Sequence, residues 1–285
     1  MKKNEGSRSR AAPEQGAKPA VEDNVRDFYD NFGWVEKSGV LGEDISFRMF
    51  RPAYGPYHAE VERRTEAVLG ALRGKLLIAG CGDLPDSHVR IAQGFDEVSC
   101  LDISRRALDI ARGKLGHGGR FTEASILNAP LADDSFDAVF CAHVIYHIDI
   151  DKQERAVDEL IRMTRPGGRV VVIYSNPHSP LRYLAAGSAR IGRLLGRTGS
   201  DLGGGRRPEL YFARQPLTWW RRFEDRCSLS FQPWDAIGSY EESRLIPSDR
   251  LAAGFYAAAG WIERSAPGLA VRLWQYPLVL LDKRR

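Results

Sequence analysis

The sequence predicts a doubly wound α/β fold, in which helices cover both faces of a mostly parallel sheet. From Leu76 to Tyr174, short apolar segments alternate with segments of helical periodicity. A Pro-Gly-Gly turn precedes the last of these apolar segments. Because strands that alternate with helices are joined by right-handed crossovers, we expect them to run parallel.

The alternating region contains the predicted strands, which are short and apolar: 76–79, 97–101, 121–124, 138–142 and 170–174. Helices are predicted between them over 86–93, over 104–114 with Ser104 as the N-cap, and in the segment DKQERAVDELIRM. This alternation of strand and helix is the main support for the fold class.

The flanking segments complete the predicted organisation. Residues 1–21 are polar and rich in Lys, Arg, Gly and Pro, which is typical of a disordered tail. Two helices are predicted in 22–74, where they form an N-terminal helical lid, and the main domain is expected to span 75–285. Within that domain, the range of about 177–240 is interpreted as an insertion. A helix and two apolar strands are predicted to close the chain.

Composition points to no particular partner. The chain of 285 residues has a net charge of +4, weaker than the clustered excess typical of general nucleic-acid binders. No apolar run approaches the roughly 20 residues of a membrane span, and no apolar signal segment is recognised. The four cysteines lack metal-binding spacing, and buried thiols suit a reducing compartment. We therefore expect a cytoplasmic protein without a bound metal.

A glycine turn and an acidic residue indicate an adenosine-containing ligand. Gly80 and Gly82 follow the first strand, where glycine lets the backbone approach a ligand closely. Asp102 closes the next strand, where a carboxylate can accept hydrogen bonds from both ribose hydroxyls. A dinucleotide is disfavoured, because the third glycine of its motif would stand at Pro85, which has no N–H for a phosphate.

These residues resemble the class I S-adenosylmethionine-dependent methyltransferases. The resemblance covers about 76–175 and the C-terminal strands, and it includes AGCG in the turn and RPGG before the fifth strand. It implies a Rossmann-like, methyltransferase-like fold with a C-terminal antiparallel strand at 278–282, and S-adenosyl-L-methionine as the cofactor. The positions that match the family's cofactor-binding residues are Ala79, Gly80, Gly82, Asp102, Ile103, Ser125, Ile126 and His143.

The chain departs from the family pattern at two of its positions. The family often has a further glycine where this chain has Leu84. It often has an acidic residue, which binds the adenine amino group, where this chain has Ser125. A hydroxyl can accept a hydrogen bond but carries no charge.

Two histidines after the fourth strand are the predicted catalytic residues. Methyl transfer from a sulfonium is an in-line displacement, so the enzyme mainly aligns the acceptor and excludes water. A protonated acceptor also needs a base. In HVIYHI, His147 is the predicted base, and His143 is predicted to face the cofactor beside the reacting groups. The alternative for His147 is a structural histidine that is hydrogen-bonded to a neighbouring loop.

The predicted acceptor is a hydroxyl (or carboxyl) oxygen of a small or lipid-linked metabolite. Family members that methylate nucleic-acid amino groups have an Asn/Asp-Pro-Pro-aromatic run where this chain reads CAHV, so no nucleic-acid partner is expected. The alternatives are an N-methyltransferase of a small molecule and a protein that binds the cofactor without catalysis.

A helix predicted near 181–197 bears on the charge of the acceptor. At about 100° per residue, its arginines share one side: Arg182, Arg190, Arg193 and Arg197. A solvated surface helix is the simpler interpretation. The alternative is a lid whose arginines contact an anionic acceptor or a membrane surface.

Overall fold

The computed structural model describes residues 20–37, 39–194 and 209–285. A small antiparallel hairpin near the N-terminus consists of β1 (Glu36–Lys37) and β2 (Val40–Leu41). A seven-stranded sheet contains the remaining strands: β3 (Lys75–Ala79), β4 (Glu97–Asp102), β5 (Gly119–Glu123), β6 (Phe136–Ala142), β7 (Thr164–Ile173), β8 (Cys227–Asp235) and β9 (Tyr276–Lys283).

The strand order of the large sheet is β5-β4-β3-β6-β7-β9-β8. The strands from β3 to β7 pair in parallel, whereas β9 is antiparallel to both β7 and β8. The predicted Rossmann-like class and the antiparallel strand at the C-terminus are therefore confirmed. The strand order reverses beside β3, and in such sheets a ligand crevice opens at the carboxyl end of that strand.

The helices that surround the sheet are α1 (Val21–Phe28), α2 (Gly42–Phe47), α3 (Tyr54–Gly70), α4 (Asp86–Ala92), α5 (Arg105–Leu115), α6 (Gln153–Met163), α7 (Pro180–Leu194), α8 (Ser239–Leu245), α9 (Asp249–Ser265) and α10 (Pro267–Leu273). A π-helical turn, Tyr29–Gly33, continues α1. The Ser104 hydroxyl accepts a hydrogen bond from the Ala107 N–H, which confirms Ser104 as the N-cap of α5.

The core lies on both faces of the sheet because successive strand residues point to opposite sides. Leu77 and Val139 belong to one buried layer, and Ile78 and Phe140 belong to the other. A third apolar cluster joins α3 to α9 and α10 through residues such as Tyr57. This cluster fixes the N-terminal part of the chain against the C-terminal part.

Three sequence expectations about the elements are wrong. The RPGG turn is part of β7: Phe136 pairs with Thr164 and Ala138 with Arg169, so the glycines form a bulge within one strand. The range 177–240 contains β8, an edge strand whose exposed residues hide its strand character. The chain closes with α9, α10 and a single strand, because Pro267 begins a helix at its first position, where proline is favourable.

Other expectations lie outside the described residues. This group contains residues 1–19 of the predicted tail, the Arg193 side chain and Arg197. In the part of the chain that the structure describes, no helix is both long enough and apolar enough to cross a membrane.

Candidate active site

The turn after β3 has a backbone that only glycine fits well. Gly80 and Gly82 have φ angles of 70° and 53°, in the left-handed region. A Cβ on Gly80 would lie 2.3 Å from Cγ2 of Val144, and one on Gly82 would lie 3.0 Å from the ring of Trp34. The glycines therefore let the turn bend and pack closely against Val144 and Trp34.

Leu84, at the position where the family often has glycine, keeps a glycine-like backbone. Its φ is 52°, which costs a non-glycine residue roughly 1–2 kcal/mol. Its side chain is fully buried in the apolar layer beside α4. Packing of this leucine offsets the strain, so the turn keeps its shape without the glycine.

Asp102 connects the ends of β3 and β4. Its Oδ2 accepts from the Gly82 N–H at 2.9 Å, and its Oδ1 accepts from the Ser104 N–H at 2.8 Å. Burial raises the pKa of this carboxyl to about 6, and the two backbone donors oppose that rise. A carboxylate has about four acceptor lone pairs, so two ribose hydroxyls can still be bound.

A cavity of about 710 Å³ begins at this turn and brings most of the predicted site together. Seven of the predicted residues line it: Gly80, Gly82, Asp102, Ile103, Ile126, His143 and His147. Ala79 is fully buried at the end of β3 and does not line the cavity. Ser125 also lies behind the wall, where its hydroxyl donates to a carboxylate oxygen of Glu22.

His143 is held by aromatic side chains. Its Nδ1 is hydrogen-bonded to the Tyr146 hydroxyl at 2.8 Å, and its ring packs edge-on against Trp234 and Tyr276. Its φ of 62° bends the chain directly after β6. Burial, with neighbouring histidines and Arg48, lowers the pKa of His143 to about 3, so the ring is neutral.

His147 is oriented through one ring nitrogen. Its Nδ1 lies 2.8 Å from the Tyr211 carbonyl oxygen, which can only accept, so Nδ1 carries the proton. The Nε2 atom then keeps a lone pair. The ring packs edge-on against Tyr29 and Phe212, and burial lowers its pKa to about 4. His147 is therefore a neutral proton acceptor in the cavity wall.

The far end of the cavity is an aromatic chamber that sequence reasoning missed. The rings of Phe50 and Tyr54 stack with their centroids 3.7 Å apart. The Tyr54 hydroxyl donates to Asp235 Oδ2 at 2.6 Å and contacts Nδ1 of His58 at 2.7 Å. Trp234 packs edge-on against His58. Tyr54 and His58 lie on α3, Phe50 lies in the segment before α3, and the other two lie on β8. No local sequence motif connects these segments.

A carboxyl group from the N-terminal part of the chain also faces the cavity. Glu43, on α2, lines the wall, and its Oε2 is buried without a hydrogen-bond partner. Burial raises the pKa of Glu43 to about 7, although Arg48 opposes the rise. Arg48 lies 3.6 Å from Asp83, which follows the glycine turn. The N-terminal segment thus approaches the cofactor turn closely.

Comparison with known proteins agrees with this geometry. Residues 77–172 match a family model described as a methyltransferase domain. Residues 77–172 therefore form a methyltransferase domain of the class I S-adenosylmethionine-dependent type. The cofactor of this family is S-adenosyl-L-methionine, as the sequence predicted. The matched range runs from β3 into β7 and contains every predicted cofactor and catalytic residue.

Among curated relatives, the chain is similar to the ubiquinone/menaquinone biosynthesis C-methyltransferase UbiE of Stutzerimonas stutzeri (strain A1501). The two are 31% identical over 136 residues, which cover 45% of this chain and 52% of the relative. The chain thus spans about half the length of the curated relatives it matches.

Solved structures share the fold. The structure of the DhpI–SAH complex matches with a TM-score of 0.57 and 15% identity, over 93% of this chain and 98% of that chain. Magnesium protoporphyrin IX methyltransferase from Synechocystis PCC 6803, with bound SAM, matches with a TM-score of 0.53 and 13% identity, over 95% and 100% of the two chains. At these identities the similarity concerns the fold alone.

Proposed function

We propose that the protein transfers a methyl group from S-adenosyl-L-methionine to a hydroxyl (or carboxyl) oxygen of a small or lipid-linked metabolite. The observation that carries this proposal is the continuous cavity. It joins the glycine turn and Asp102 at one end to an aromatic chamber at the other, with His147 in its wall. Such a cavity can align a bound acceptor with the cofactor and exclude water.

The cofactor end fits its ligand. Gly80 and Gly82 line the cavity, so the backbone of the turn can lie against the amino-acid part of the cofactor. Asp102 would hold the ribose, and Ile103 and Ile126 offer apolar surface to the adenine. When bound, the cofactor supplies a methyl group on a sulfonium.

His147 would act as the base. Because its Nδ1–H is bound to the Tyr211 carbonyl, its Nε2 can take the proton of an acceptor hydroxyl as the oxygen attacks. The same carbonyl stabilises the imidazolium that forms, since the Nδ1–H bond strengthens when the ring becomes charged. An acceptor that is already ionised, such as a carboxylate, would not need this step.

A negative charge on the acceptor is supported by two arginines that pack on cavity-lining rings: Arg182, one of the four in the helix pattern, lies over Tyr276, and Arg214 lies over Phe212. Arg182 and Arg214 both donate to the Ser175 hydroxyl, at 2.7 and 3.0 Å. Glu241, which lines the cavity, lies 3.4 Å from Arg182, whereas the two arginines lie behind the cavity wall. Arg190 is exposed, and no described residue of α7 lines the cavity. We propose that the positive charges of Arg182 and Arg214, which lie behind the rings of Tyr276 and Phe212, attract the anionic part of the acceptor.

A lipid-linked acceptor would explain the exposed apolar side chains of α7. Leu184 and Ile191 are 60% and 59% exposed. Helix α7 packs against α8, whose Tyr240 lines the cavity. We propose that this face of α7 makes peripheral contact with a membrane surface, with Arg190 toward the lipid head groups.

Methylation at carbon is the second candidate. The similar relative UbiE is named as a C-methyltransferase of quinone biosynthesis. Removal of a phenol proton by His147 would activate the aromatic ring at carbon as well as at oxygen, and the aromatic chamber can accommodate such a ring. The ring carbon that gains the methyl group then loses its own proton to restore the aromatic ring, and the roles of the cofactor-binding residues are unchanged.

The test is turnover of methyl-labelled S-adenosylmethionine with a metabolite extract, followed by identification of the labelled product. We expect a labelled small or lipid-linked product with the methyl group on oxygen. A label on nitrogen, or no product although the protein binds the cofactor, would contradict the proposal. The second of these results would indicate a protein that binds the cofactor without catalysis.

A further inference from the structure

Helix α1 lies across the carboxyl ends of β4 and β5. The Arg26 guanidinium donates to the Ile103 carbonyl at 3.2 Å, and Asp30 accepts from the Ser104 hydroxyl. One turn earlier, Glu22 accepts from the Ser125 hydroxyl. These contacts place α1 directly over the edge of the sheet that follows Asp102.

The order of the strands determines which part of the cofactor reaches this edge, given the proposed function. The strands lie in the order β3, β4, β5, and the cofactor consists of an amino-acid part, a ribose and an adenine in that order. If the glycine turn after β3 holds the first part and Asp102 the second, the adenine reaches the end of β5. Ala124 and Ile126 line the cavity there.

The adenine needs a hydrogen-bond acceptor at this place. Its exocyclic amino group is a donor, and the side chains of Ala124 and Ile126 are apolar. The Ser125 hydroxyl is already used, because it donates to Glu22 and accepts from the Leu127 N–H at 3.0 Å. Glu22, unlike Ser125, lines the cavity. A bond to Ser125 uses one of about four acceptor lone pairs on its carboxylate.

We propose that Glu22 accepts a hydrogen bond from the amino group of the adenine, and that Ser125 positions the Glu22 carboxylate. The acceptor for the base then comes from the N-terminal helix, outside the sheet. This inference rests on the proposed function, because it assumes that the cavity holds S-adenosylmethionine.

The experiment compares two ligands and three proteins by calorimetry. The ligands are S-adenosylhomocysteine and its inosine analogue, which has a carbonyl oxygen in place of the amino group. The proteins are the parent, Glu22→Ala and Asp27→Ala; Asp27 is an exposed residue of the same helix and serves as the matched control. Thermal unfolding of each variant checks that α1 remains in place.

We expect the parent and Asp27→Ala to bind the adenosine ligand about tenfold or more tightly than the inosine analogue, the size of a hydrogen bond to a charged group. In Glu22→Ala, affinity for the adenosine ligand should fall by a similar factor. Affinity for the analogue should stay or rise, because a carbonyl oxygen no longer faces a carboxylate. Ser125→Ala should show the same pattern with a smaller change.

Equal weakening of both ligands by Glu22→Ala would overturn the inference, since Glu22 would then only hold the helix. Unchanged affinity for the adenosine ligand would overturn it as well. If the parent protein binds neither ligand, the proposed function itself fails, and this result is distinct from the other two.

Discussion

The two ends of the cavity are built in different ways. At the cofactor end, the glycine turn and Asp102 come from consecutive strand ends within the range that matches the family model, and Trp34 of the N-terminal segment packs against that turn. At the acceptor end, Tyr54 and Asp235 meet although 181 positions separate them in sequence. The cofactor end therefore depends on local turns, whereas the acceptor end depends on how distant segments dock. Variants at the two ends should separate cofactor binding from turnover.

The largest expected effect is on turnover. Replacing His147 with Ala removes the proposed base and should lower kcat by about 10²–10⁴, with cofactor affinity almost unchanged. The measurement is initial rate with the identified acceptor, together with calorimetry of the cofactor. His178→Ala, at an exposed histidine, is the control. A parallel loss of cofactor affinity would mean that His147 shapes the cofactor end instead.

The next effect concerns cofactor binding. Asp102→Ala should weaken binding of S-adenosylhomocysteine by about 1.5–3 kcal/mol, because two hydroxyls lose a charged acceptor. Calorimetry measures this change, and Asp109→Ala, at an exposed position on α5, should have no effect. Unchanged affinity in Asp102→Ala would show that this carboxylate only joins β3 to β4.

Asp102 should also make cofactor binding depend on pH. Burial raises the pKa of its carboxyl to about 6, and the ionised form binds the ribose hydroxyls. Affinity should therefore fall about tenfold as pH falls from 7 to 5. The stability of the free protein should change with pH in the opposite direction to the affinity. Because folding raises the pKa of Asp102, the free energy of unfolding should increase as pH falls below 6. Asp102→Asn should flatten the affinity profile, and a profile identical to the parent's would exclude Asp102 as its source.

A smaller effect is expected on recognition of the acceptor. Arg214→Gln should raise KM for an anionic acceptor severalfold with little change in kcat, as for lost uniform binding. Steady-state kinetics measures both constants. Arg190→Gln removes an exposed arginine from α7 and is the matched control. If Arg190→Gln raises KM and Arg214→Gln does not, the exposed face of α7 that bears Arg190 recognises the acceptor instead.

The last effect is on stability of the turn. Gly80→Ala places a Cβ 2.3 Å from Val144 at a φ of 70°, so it should destabilise the fold by about 1–3 kcal/mol. Gly254→Ala, on an exposed face of α9 with nothing within 4 Å, should stabilise it by about 0.5–1 kcal/mol. Denaturant unfolding measures both. Equal effects of the two substitutions would contradict the proposed strain at Gly80.

The same difference between the two ends explains what the sequence could predict. Gly80, Gly82 and Asp102 stand at strand ends, and a strand end can be located from apolar runs and turn residues. Asp235 and Glu43 could not be found in this way. Each gains its place only through tertiary docking, and neither belongs to a pattern that marks a ligand.

Some differences between the sequence predictions and the structure have local causes. The backbone at Leu84 keeps a positive φ because burial of its side chain compensates the strain, a balance that the sequence does not show. The strand β8 was missed because it lies at the edge of the sheet, where alternate residues are exposed and Pro233 is tolerated.

The position of β8 also constrains the order in which the sheet can be completed. Its only partner in the sheet, among the described residues, is β9, the last strand of the chain. During synthesis β8 is made first and stays without a strand partner until residues 276–283 have emerged. The non-local pairing of β9 with β7 must then form as well, and such pairings fold slowly. Loss of the final strand would therefore remove two strands from the sheet and expose the edge of β7.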